Sequence, residues 1–331
     1  MAGSSDVPGR LQEDVTTYRS ALLDLPGAVE ADPPDAGVAA HYGDPMREQR
    51  LLAAGEAFVD LSHRGVVRVA GPDRLPWLHS LLSQHVAGLV PGERTEALLL
   101  SPHGHVEHHL RLTDDGEATW ATLEPGTAQA LVDFLRSMQF LMRVEVDDVS
   151  ADWAAVWTLD GELLLPRASL PDAPGSLKAP AGVWAHEALR IARGEPRLGL
   201  DTDHKTIPNE VGWIAAAVHL DKGCYRGQET VARVHTLGRP PRRLTLLHLD
   251  GSVDHLPSHC DRVHLAESGK EIGFVGSAAR HFEDGPIALA LLKRNVPVDA
   301  ALVVRGAVEV AAAQKALVDP EAGLHVRPRL S

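Results

Sequence analysis

One of the two cysteines in this chain lies in a segment whose residue types favour chemistry. Residues 222–229 read Lys-Gly-Cys-Tyr-Arg-Gly-Gln-Glu. Lys222 and Cys224 are two positions apart, so their side chains would share a face if the segment is extended. The residues that follow predict a helix whose free N–H groups would carry partial positive charge towards Cys224. An ammonium group and a helix N-terminus both favour the thiolate, so we predict a reactive Cys224 whose pKa is lowered by Lys222.

The alternative for any single cysteine is an inert, buried, small apolar residue. Charged and polar neighbours on both sides weaken that interpretation for Cys224. Cys260, in the segment Pro-Ser-His-Cys-Asp, has no comparable support and is interpreted as structural. Two cysteines without a CxxC motif do not form a disulfide framework, which predicts a reducing, cytoplasmic location. The N-terminal residues show no signal-peptide pattern, and no apolar run approaches the ~18 residues of a membrane span.

The charge distribution limits the choice of partners. The net charge of −13 argues against a surface for nucleic acid. Residues 226–243 nevertheless hold five arginines and only one acidic residue: Arg226, Arg233, Arg239, Arg242, Arg243 and Glu229. This run is either a solvated helix face and loop or a local anion site, because guanidinium groups suit carboxylates and phosphates.

A cluster of histidines in one predicted hairpin raises the possibility of a metal site. His105, Glu107 and His109 alternate on one face of a strand. Successive ligands on one strand face are ~6–7 Å apart, which is wide for a single ion. We therefore predict a polar strand that faces solvent or a ligand, and no metal.

The chain is too long for one compact core, so two or three domains are expected. Residues 1–40 are polar and proline-rich, which predicts a partly disordered segment. Residues of about 62–150 predict a ferredoxin-like α+β subdomain with an antiparallel sheet, in which helices at 73–86 and 127–140 interrupt the strands. Helices are also predicted at 183–193 and 227–237.

The C-terminal region has a different pattern. Pro240 and Pro241 end the preceding helix and mark a domain boundary. Six short strands between turn residues follow within 244–312, which predicts a small antiparallel β-barrel. The predicted division is therefore 1–40, 41–240 and 241–331.

The segment 222–229, continued to Arg233, resembles the signature of the YgfZ-type folate-binding proteins, which are paralogues of the glycine-cleavage T-protein. The T-protein has a lysine, an aromatic residue, a glycine and a glutamate at equivalent spacing but lacks the Gly-Cys pair. Further segments resemble the N-terminal half of that family: 41–45, 60–64, 71–74 and 101–105. The resemblance covers most of the chain and implies an α+β fold of three subdomains round a central opening, with a C-terminal barrel.

The resemblance also implies a function. A tetrahydrofolate or derivative is expected in the central opening, and the family role is the support of iron–sulfur enzymes, including enzymes that modify tRNA. The reactive group would be Cys224, tuned by Lys222. Six residues are expected to bind the folate: Tyr225, Gly227, Gln228, Glu229, Arg233 and Glu187. Asp201 is a further candidate for the pterin. The expected partners are a folate and iron–sulfur client proteins, with no direct nucleic acid and no membrane.

Two departures from the T-protein pattern argue against aminomethyl transfer. Ala192 stands where the T-protein has a glutamate that binds the pterin, and Glu107-His108 replaces a pair of aspartates. A cluster needs about four ligands, usually thiolates, which two cysteines do not supply. An assembly or repair factor is therefore expected. A one-carbon transferase and a non-catalytic folate sensor remain as alternatives.

Overall fold

The computed structural model describes residues 18–214 and 216–323. Its α-helices are α1 Pro45–Ala53, α2 Arg74–Leu81, α3 Ala128–Ser137, α4 Ala173–Ser176, α5 Val183–Arg193 and α6 Gln228–Leu237. Its strands are β1 Val29–Glu30, β2 Ala39–His41, β3 Ala57–Asp60, β4 Gly65–Ala70, β5 Arg94–Leu100, β6 Val106–Asp114, β7 Ala118–Leu123, β8 Glu145–Asp148, β9 Trp153–Thr158, β10 Gly161–Pro166, β11 Ala179–Ala181, β12 Arg242–Leu249, β13 Arg262–Leu265, β14 Glu271–His281, β15 Gly285–Lys293, β16 Leu302–Arg305 and β17 Glu309–Ala316. Short 3-10 helices lie at Ala21–Asp24, Arg167–Asp172 and Pro208–Glu210.

The first layer is a five-stranded antiparallel sheet of order β5-β6-β7-β4-β8. Strand alternation gives it two different faces. Leu110 and Leu112 of β6 pack in the apolar core that α2 and α3 share with the sheet. His109 and Arg111, on the opposite face, line a cavity. The predicted α+β class with an antiparallel sheet is confirmed.

The helix predicted over 127–140 is shorter in the structure, because α3 ends at Ser137. The carbonyl of Met138 accepts a hydrogen bond from the Trp77 indole at 3.2 Å. Phe140 then has a φ of 44° in the left-handed region. A backbone in that region cannot continue a right-handed helix.

The second sheet has the order β10-β9-β3-β11 and was not predicted from the sequence. Its strands come from three separated stretches of the chain, and β11 pairs with β3 in parallel while the other pairs are antiparallel. Helices α1 and α5 pack on it. Gly194, with a φ of 75°, ends α5 as predicted.

The third unit is a closed barrel of order β12-β15-β14-β13-β16-β17, as predicted. It begins at Arg242, directly after Pro241. Residues 18–40, which belong to the segment expected to be partly disordered, contain a 3-10 helix and the β1-β2 pair; residues 1–17 lie outside the described residues. The division into domains stays a prediction.

A buried ion network joins the three units. Arg197, with a side chain 2% exposed, binds Asp35 at 2.9 Å, Glu124 at 2.7 Å and Glu187 at 3.0 Å. These partners lie between β1 and β2, after β7 and on α5. Burial alone would raise the pKa of Glu124, but the charges of Arg197 and Arg64 outweigh burial and lower it to about 2. The network is therefore ionised at neutral pH.

The network continues into the barrel through α5. Arg190 binds Glu187 and also Asp201, the latter at 2.9 Å. Asp201 in turn accepts a hydrogen bond from Ser277 of β14 at 2.6 Å. One connected set of charges thus contacts the N-terminal segment, both sheets and the barrel.

Replacing Arg197 with alanine is expected to destabilise the fold by about 3–5 kcal/mol, because three buried carboxylates would each lose their contact with one shared positive charge. Chemical denaturation of the full chain measures this. Arg305→Ala is the matched control, since Arg305 pairs with Glu309 at 2.9 Å on the surface and should cost about 1 kcal/mol or less. Equal losses in the two variants would contradict the role assigned to the network.

Candidate functional site

A cavity of about 1050 Å³ lies where the three units meet. The open face of the five-stranded sheet, strands β9 and β10, and the C-terminal end of α5 form most of its wall. Residues 211–213 and Ala216, Leu244 of the first barrel strand, and the two residues 317–318 that follow the last strand close the remaining side. Its size is near the upper end of small-molecule sites, which are typically ~300–1,000 Å³.

Tryptophan side chains are concentrated at this cavity. Four of the six tryptophans line it, and each has a ring partner there: Trp120 and Trp153 have centroids 4.7 Å apart, Trp157 is 5.3 Å from His186, and Trp213 is 4.6 Å from His109. Sequence reasoning missed this set. The composition held a signal for it, because the chain has six tryptophans but only five phenylalanines and three tyrosines. Such walls suit planar, apolar groups.

Most titratable groups of the cavity are paired or neutral. Glu96 accepts a hydrogen bond from His109 at 3.0 Å. Burial raises the pKa of Glu96, but the His109 contact and charge overcome it and lower the value to about 2. Burial lowers the pKa of His186 to about 4, so its imidazole is neutral at neutral pH. The Glu162 side chain also lines the wall, beside Thr122.

Positive charge is found among the lining residues. Arg94, Arg111 and Arg193 all contribute to the wall. The guanidinium of Arg193 lies 5.4 Å from the Trp157 ring and binds Glu195 at 2.6 Å. Its side chain is 37% exposed, so it can reach a ligand that extends towards solvent.

The segment 222–229 packs elsewhere, against the β5-β6 hairpin, and its residues are not part of the cavity lining. Gly227 adopts a φ of 80°, and a Cβ there would lie 2.5 Å from the backbone oxygen of Ser101. Only glycine combines that left-handed conformation with so close an approach. Gly227 therefore allows the segment to pack closely against the hairpin.

The segment that carries Lys222 and Cys224 is not a strand, so the extended conformation on which their shared face depended is not found. Lys222 is buried, and its Nζ donates hydrogen bonds to the carbonyls of His79, Leu82 and Gln84. Cys224 is exposed. The segment is irregular up to a turn at 226–227, and the lysine caps the carbonyl groups at and beyond the end of α2. Burial lowers the pKa of Lys222 to about 8.

The other predicted site residues have separate surroundings. Tyr225 is buried in the apolar core between hairpin and barrel, where burial raises its pKa to about 12. Gln228 donates to the Lys222 carbonyl at 3.4 Å. Glu229 and Arg233 are exposed on α6. Glu187 belongs to the buried network.

The arginine run of 226–243 is largely occupied by partners within the chain. Arg226 binds Glu107 at 2.7 Å, and Arg242 binds Glu210 at 2.7 Å. Arg243 is buried and donates to the carbonyl of Arg294 at 2.8 Å. Arg233 is left as an exposed member of the run.

The predicted strand face of His105, Glu107 and His109 does not act as one unit. His109 turns to the cavity, whereas Glu107 binds Arg226. Across residues 18–214 and 216–323, no group of three or more histidine, cysteine, aspartate or glutamate side chains could hold a metal ion. In the same residues no helix is long and apolar enough to cross a membrane.

Comparison with known proteins shows several relatives, although no family model matches the chain. It is 27% identical over 265 residues to the mitochondrial iron-sulfur cluster assembly factor IBA57 homolog of Mycosarcoma maydis, covering 66% of either chain. It is 33% identical over 121 residues to the tRNA-modifying protein YgfZ of Edwardsiella ictaluri, and this match covers 36% of either chain. It is 24% identical to the aminomethyltransferase of Moorella thermoacetica, over 76% of this chain and 82% of that one.

The fold has a close counterpart among solved structures. The glycine cleavage system aminomethyltransferase T from Bartonella henselae superposes with a TM-score of 0.75 at 18% identity, covering 91% of this chain and 97% of that one. The predicted T-protein-like fold is thereby confirmed. Two of the sequence relatives, the IBA57 homolog among them, are matched over only 65% and 66% of their own length, just under two thirds.

Iodoacetamide is expected to modify Cys224 faster than Cys260 near neutral pH. Both thiols are exposed, but burial and Asp261 raise the pKa of Cys260 and so reduce its thiolate fraction. The Sγ atom of Cys260 also lies 3.1 Å from His259 Nε2. Peptide mass spectrometry over time gives both rates, and the single variants Cys224→Ala and Cys260→Ala assign them. Equal rates would remove the basis for treating Cys224 as the reactive thiol.

Proposed function

The chain is related by sequence and fold to the YgfZ-type, aminomethyltransferase-like proteins, and we propose that it binds a reduced folate and supports the assembly or repair of iron–sulfur enzymes. The central cavity carries this proposal, because it combines aromatic walls with carboxylates and arginines in a T-protein-like fold. Cys224 is the proposed reactive group. It lies outside the cavity wall, on an exposed turn where a protein client can reach it.

The residues of the cavity fit a tetrahydrofolate. The pairs Trp120–Trp153 and Trp157–His186 offer faces for the pteridine and aminobenzoyl rings. Arg94 and Arg193 offer guanidinium groups for the carboxylates of the glutamate tail. When bound, the folate would supply a carrier for one-carbon groups. The protein's own contribution is to stack the rings and neutralise the tail.

The segment 222–229 supports the proposal in a different way. Lys222 fixes the segment to the end of α2, and Gly227 fixes it to the hairpin. Tyr225 anchors it in the apolar core. These contacts hold Cys224 at a defined place on the surface. The folate-binding roles expected for Tyr225, Gly227, Gln228, Glu229, Arg233 and Glu187 stay predictions.

A one-carbon transferase is the second candidate, favoured by the similarity to aminomethyltransferases. The T-protein has carboxylates at two places in its sequence, and the residues at those places in this chain bring no carboxylate to the cavity. Ala192 has only a methyl group, and Glu107 binds Arg226 outside the lining. Burial lowers the pKa of His108 to about 4, so it is neutral at neutral pH. An acid or base in place commonly contributes ~10²–10⁴ in rate, so transfer is expected to be negligible.

Tetrahydrofolate is expected to bind the wild-type protein, and calorimetry measures the affinity. Forms with a longer glutamate tail should lose affinity in Arg193→Ala by up to roughly fivefold, as for an exposed ion pair. Arg233→Ala tests the residue first expected from the sequence in the same assay. If a variant binds the short-tailed and long-tailed folates with equal affinity, the residue replaced in it is the one that contacts the glutamate tail. If the wild type bound no tetrahydrofolate, the proposed function would be wrong.

Cells that lack this protein are expected to show reduced activity of iron–sulfur enzymes and undermodified tRNA, with glycine cleavage intact. Cys224→Ala should fail to restore those activities, because the proposed reactive thiol is gone. Cys260→Ala is the control and should restore them, since Cys260 lies on a barrel loop. Restoration by Cys224→Ala would instead favour a folate sensor. Turnover of an aminomethyl donor by the purified protein at ~1 s⁻¹ or more would favour the transferase.

A further inference from the structure

Two neighbouring residues, Phe140 and Leu141, project into solvent from the loop that follows α3 and form an apolar tip. Their exposed fractions are 84% and 98%, whereas no other large apolar residue in the described part of the chain exceeds 59%. Single exposed apolar side chains are normal on protein surfaces, but an adjacent pair with so little cover is a candidate for contact with a partner.

The loop that carries the apolar tip is fixed on both sides of it. Before the tip, Met138 packs against the core of α2 and α3, and its carbonyl accepts a hydrogen bond from Trp77 at 3.2 Å. After the tip, the backbone N–H, Nε and Nη2 of Arg143 donate to Asp73 at 2.8, 3.0 and 2.7 Å. A loop held in this way presents its apolar side chains at a low entropic cost for binding.

The apolar tip and Cys224 lie near the same pair of helices. The loop of the tip is tied through Asp73 to the N-terminal end of α2, whereas Lys222 is tied to carbonyl groups at its C-terminal end. The eight residues of α2 span only ~12 Å. The guanidinium of Arg226 also lies 5.2 Å from the ring of Phe134 on α3. A standard interface covers about 800 Å² on each partner, ~30 Å across, so a protein seated on the tip extends to Cys224.

The surface around the apolar tip is acidic. Residues 133–148 hold four acidic and two basic side chains. Arg136 is paired with Asp147 at 3.2 Å. Arg143 is paired with Asp73 at 2.7 Å. The remaining acids are exposed and form no ion pair within residues 18–214 and 216–323: Asp133, Glu145 and Asp148.

This charge narrows the choice of partner. Complementary potentials favour a protein whose apolar pocket is edged by basic side chains. A second copy of this chain would place the same acidic surface against itself, since a twofold contact joins identical patches. A membrane rich in anionic lipids would also repel this surface.

A small concave site adjoins the apolar tip. Its volume is about 310 Å³, and it is lined by Gly71, Pro72, Arg143, Val144 and Glu145. This size lies at the lower end of the ~300–1,000 Å³ of ligand sites, so it accommodates one side chain of a partner. Because Arg143 is already paired, the charge left to attract that side chain is the carboxylate of Glu145.

We propose that the apolar tip is the docking site for an iron–sulfur client protein beside Cys224. Phe140 and Leu141 enter an apolar pocket of the client, and a basic side chain from the edge of that pocket meets Glu145. The inference rests on the proposed function, because it names the surface that brings a client to the reactive thiol. Binding and reaction are thereby assigned to separate residues.

The test measures how much of the protein cells require. Cells that lack it receive the full chain from a titratable promoter, and iron–sulfur enzyme activity is measured against the level of the protein. The double variant Phe140→Asn, Leu141→Ser should need at least roughly 30-fold more protein for half-restoration, as for loss of an interface hot spot. Asparagine suits the left-handed φ of 44° at position 140. Val298→Ser, an exposed apolar residue of the barrel, is the matched control and should act as wild type.

The charge of the partner is tested by reversal. Glu145→Lys should raise the required level by roughly fivefold, because it removes an exposed ion pair with the client. Glu267→Lys reverses an exposed acid of the barrel and should leave the requirement unchanged. If Glu145→Lys also acted as wild type, the basic edge assigned to the client would be wrong.

The outcomes separate this inference from the proposed function. A wild type that restores no iron–sulfur enzyme activity overturns the proposed function itself. A wild type that restores it, with a double variant equally effective at the same level, overturns only the docking site. The purified double variant should bind tetrahydrofolate as wild type does, and a loss there would place its defect in the cavity and contradict the docking role. If the double variant melts at a lower temperature, Leu141→Ser alone replaces it.

Two further measurements address other occupants of the apolar tip. Light scattering gives the oligomeric state, and a wild-type dimer that dissociates in the double variant would show that the tip binds a second copy. Flotation with vesicles of phosphatidylcholine and phosphatidylglycerol tests a membrane. Binding to them by wild type that the double variant loses would likewise overturn the assignment to a client protein.

Discussion

The fold depends on charges that are buried away from water. Arg197 and Arg190 are each 2% exposed, and together they bind Asp35, Glu124, Glu187 and Asp201. Each of these ions would be costly to bury alone, and the pairs are favourable only when every member is in place. The N-terminal segment, both sheets and the barrel must therefore assemble together. This requirement, together with the apolar core that the first sheet, α5 and the barrel share, fixes the relative position of the units.

The same network stiffens one wall of the cavity. Helix α5 contributes His186 and Arg190 to the lining, while Glu187 and Arg190 are bound within the network. A side chain with several charged partners has little freedom to change its rotamer, so the shape of this wall is set before a ligand arrives. Preorganisation of this kind lowers the entropy that binding must cost. The ion network thus serves the site as well as the fold.

The features that could be predicted from the sequence are those that depend on local residue patterns. The barrel followed from alternating short strands after Pro241, and the end of α5 followed from Gly194. The second sheet and the cavity could not be found that way, because their contacts join distant parts of the chain. Arg197 and Asp35 are 162 residues apart, and Thr122 and Glu162 are 40 apart. Lys222 was misjudged for the same reason, since its partners lie about 140 residues earlier in α2 and the following loop.

The concentration of indole rings round the cavity has an optical consequence. Of the six tryptophans, only Trp77 and Trp184 lie away from it, one buried in the α2 core and the other half exposed beside α5's start. Four of the six indole rings that give the protein its ultraviolet emission therefore line the cavity, and two of them, Trp120 and Trp153, lie 4.7 Å apart. Anything that enters that space changes the polarity and quenching around four fluorophores at once, so the molecule carries its own reporter of occupancy.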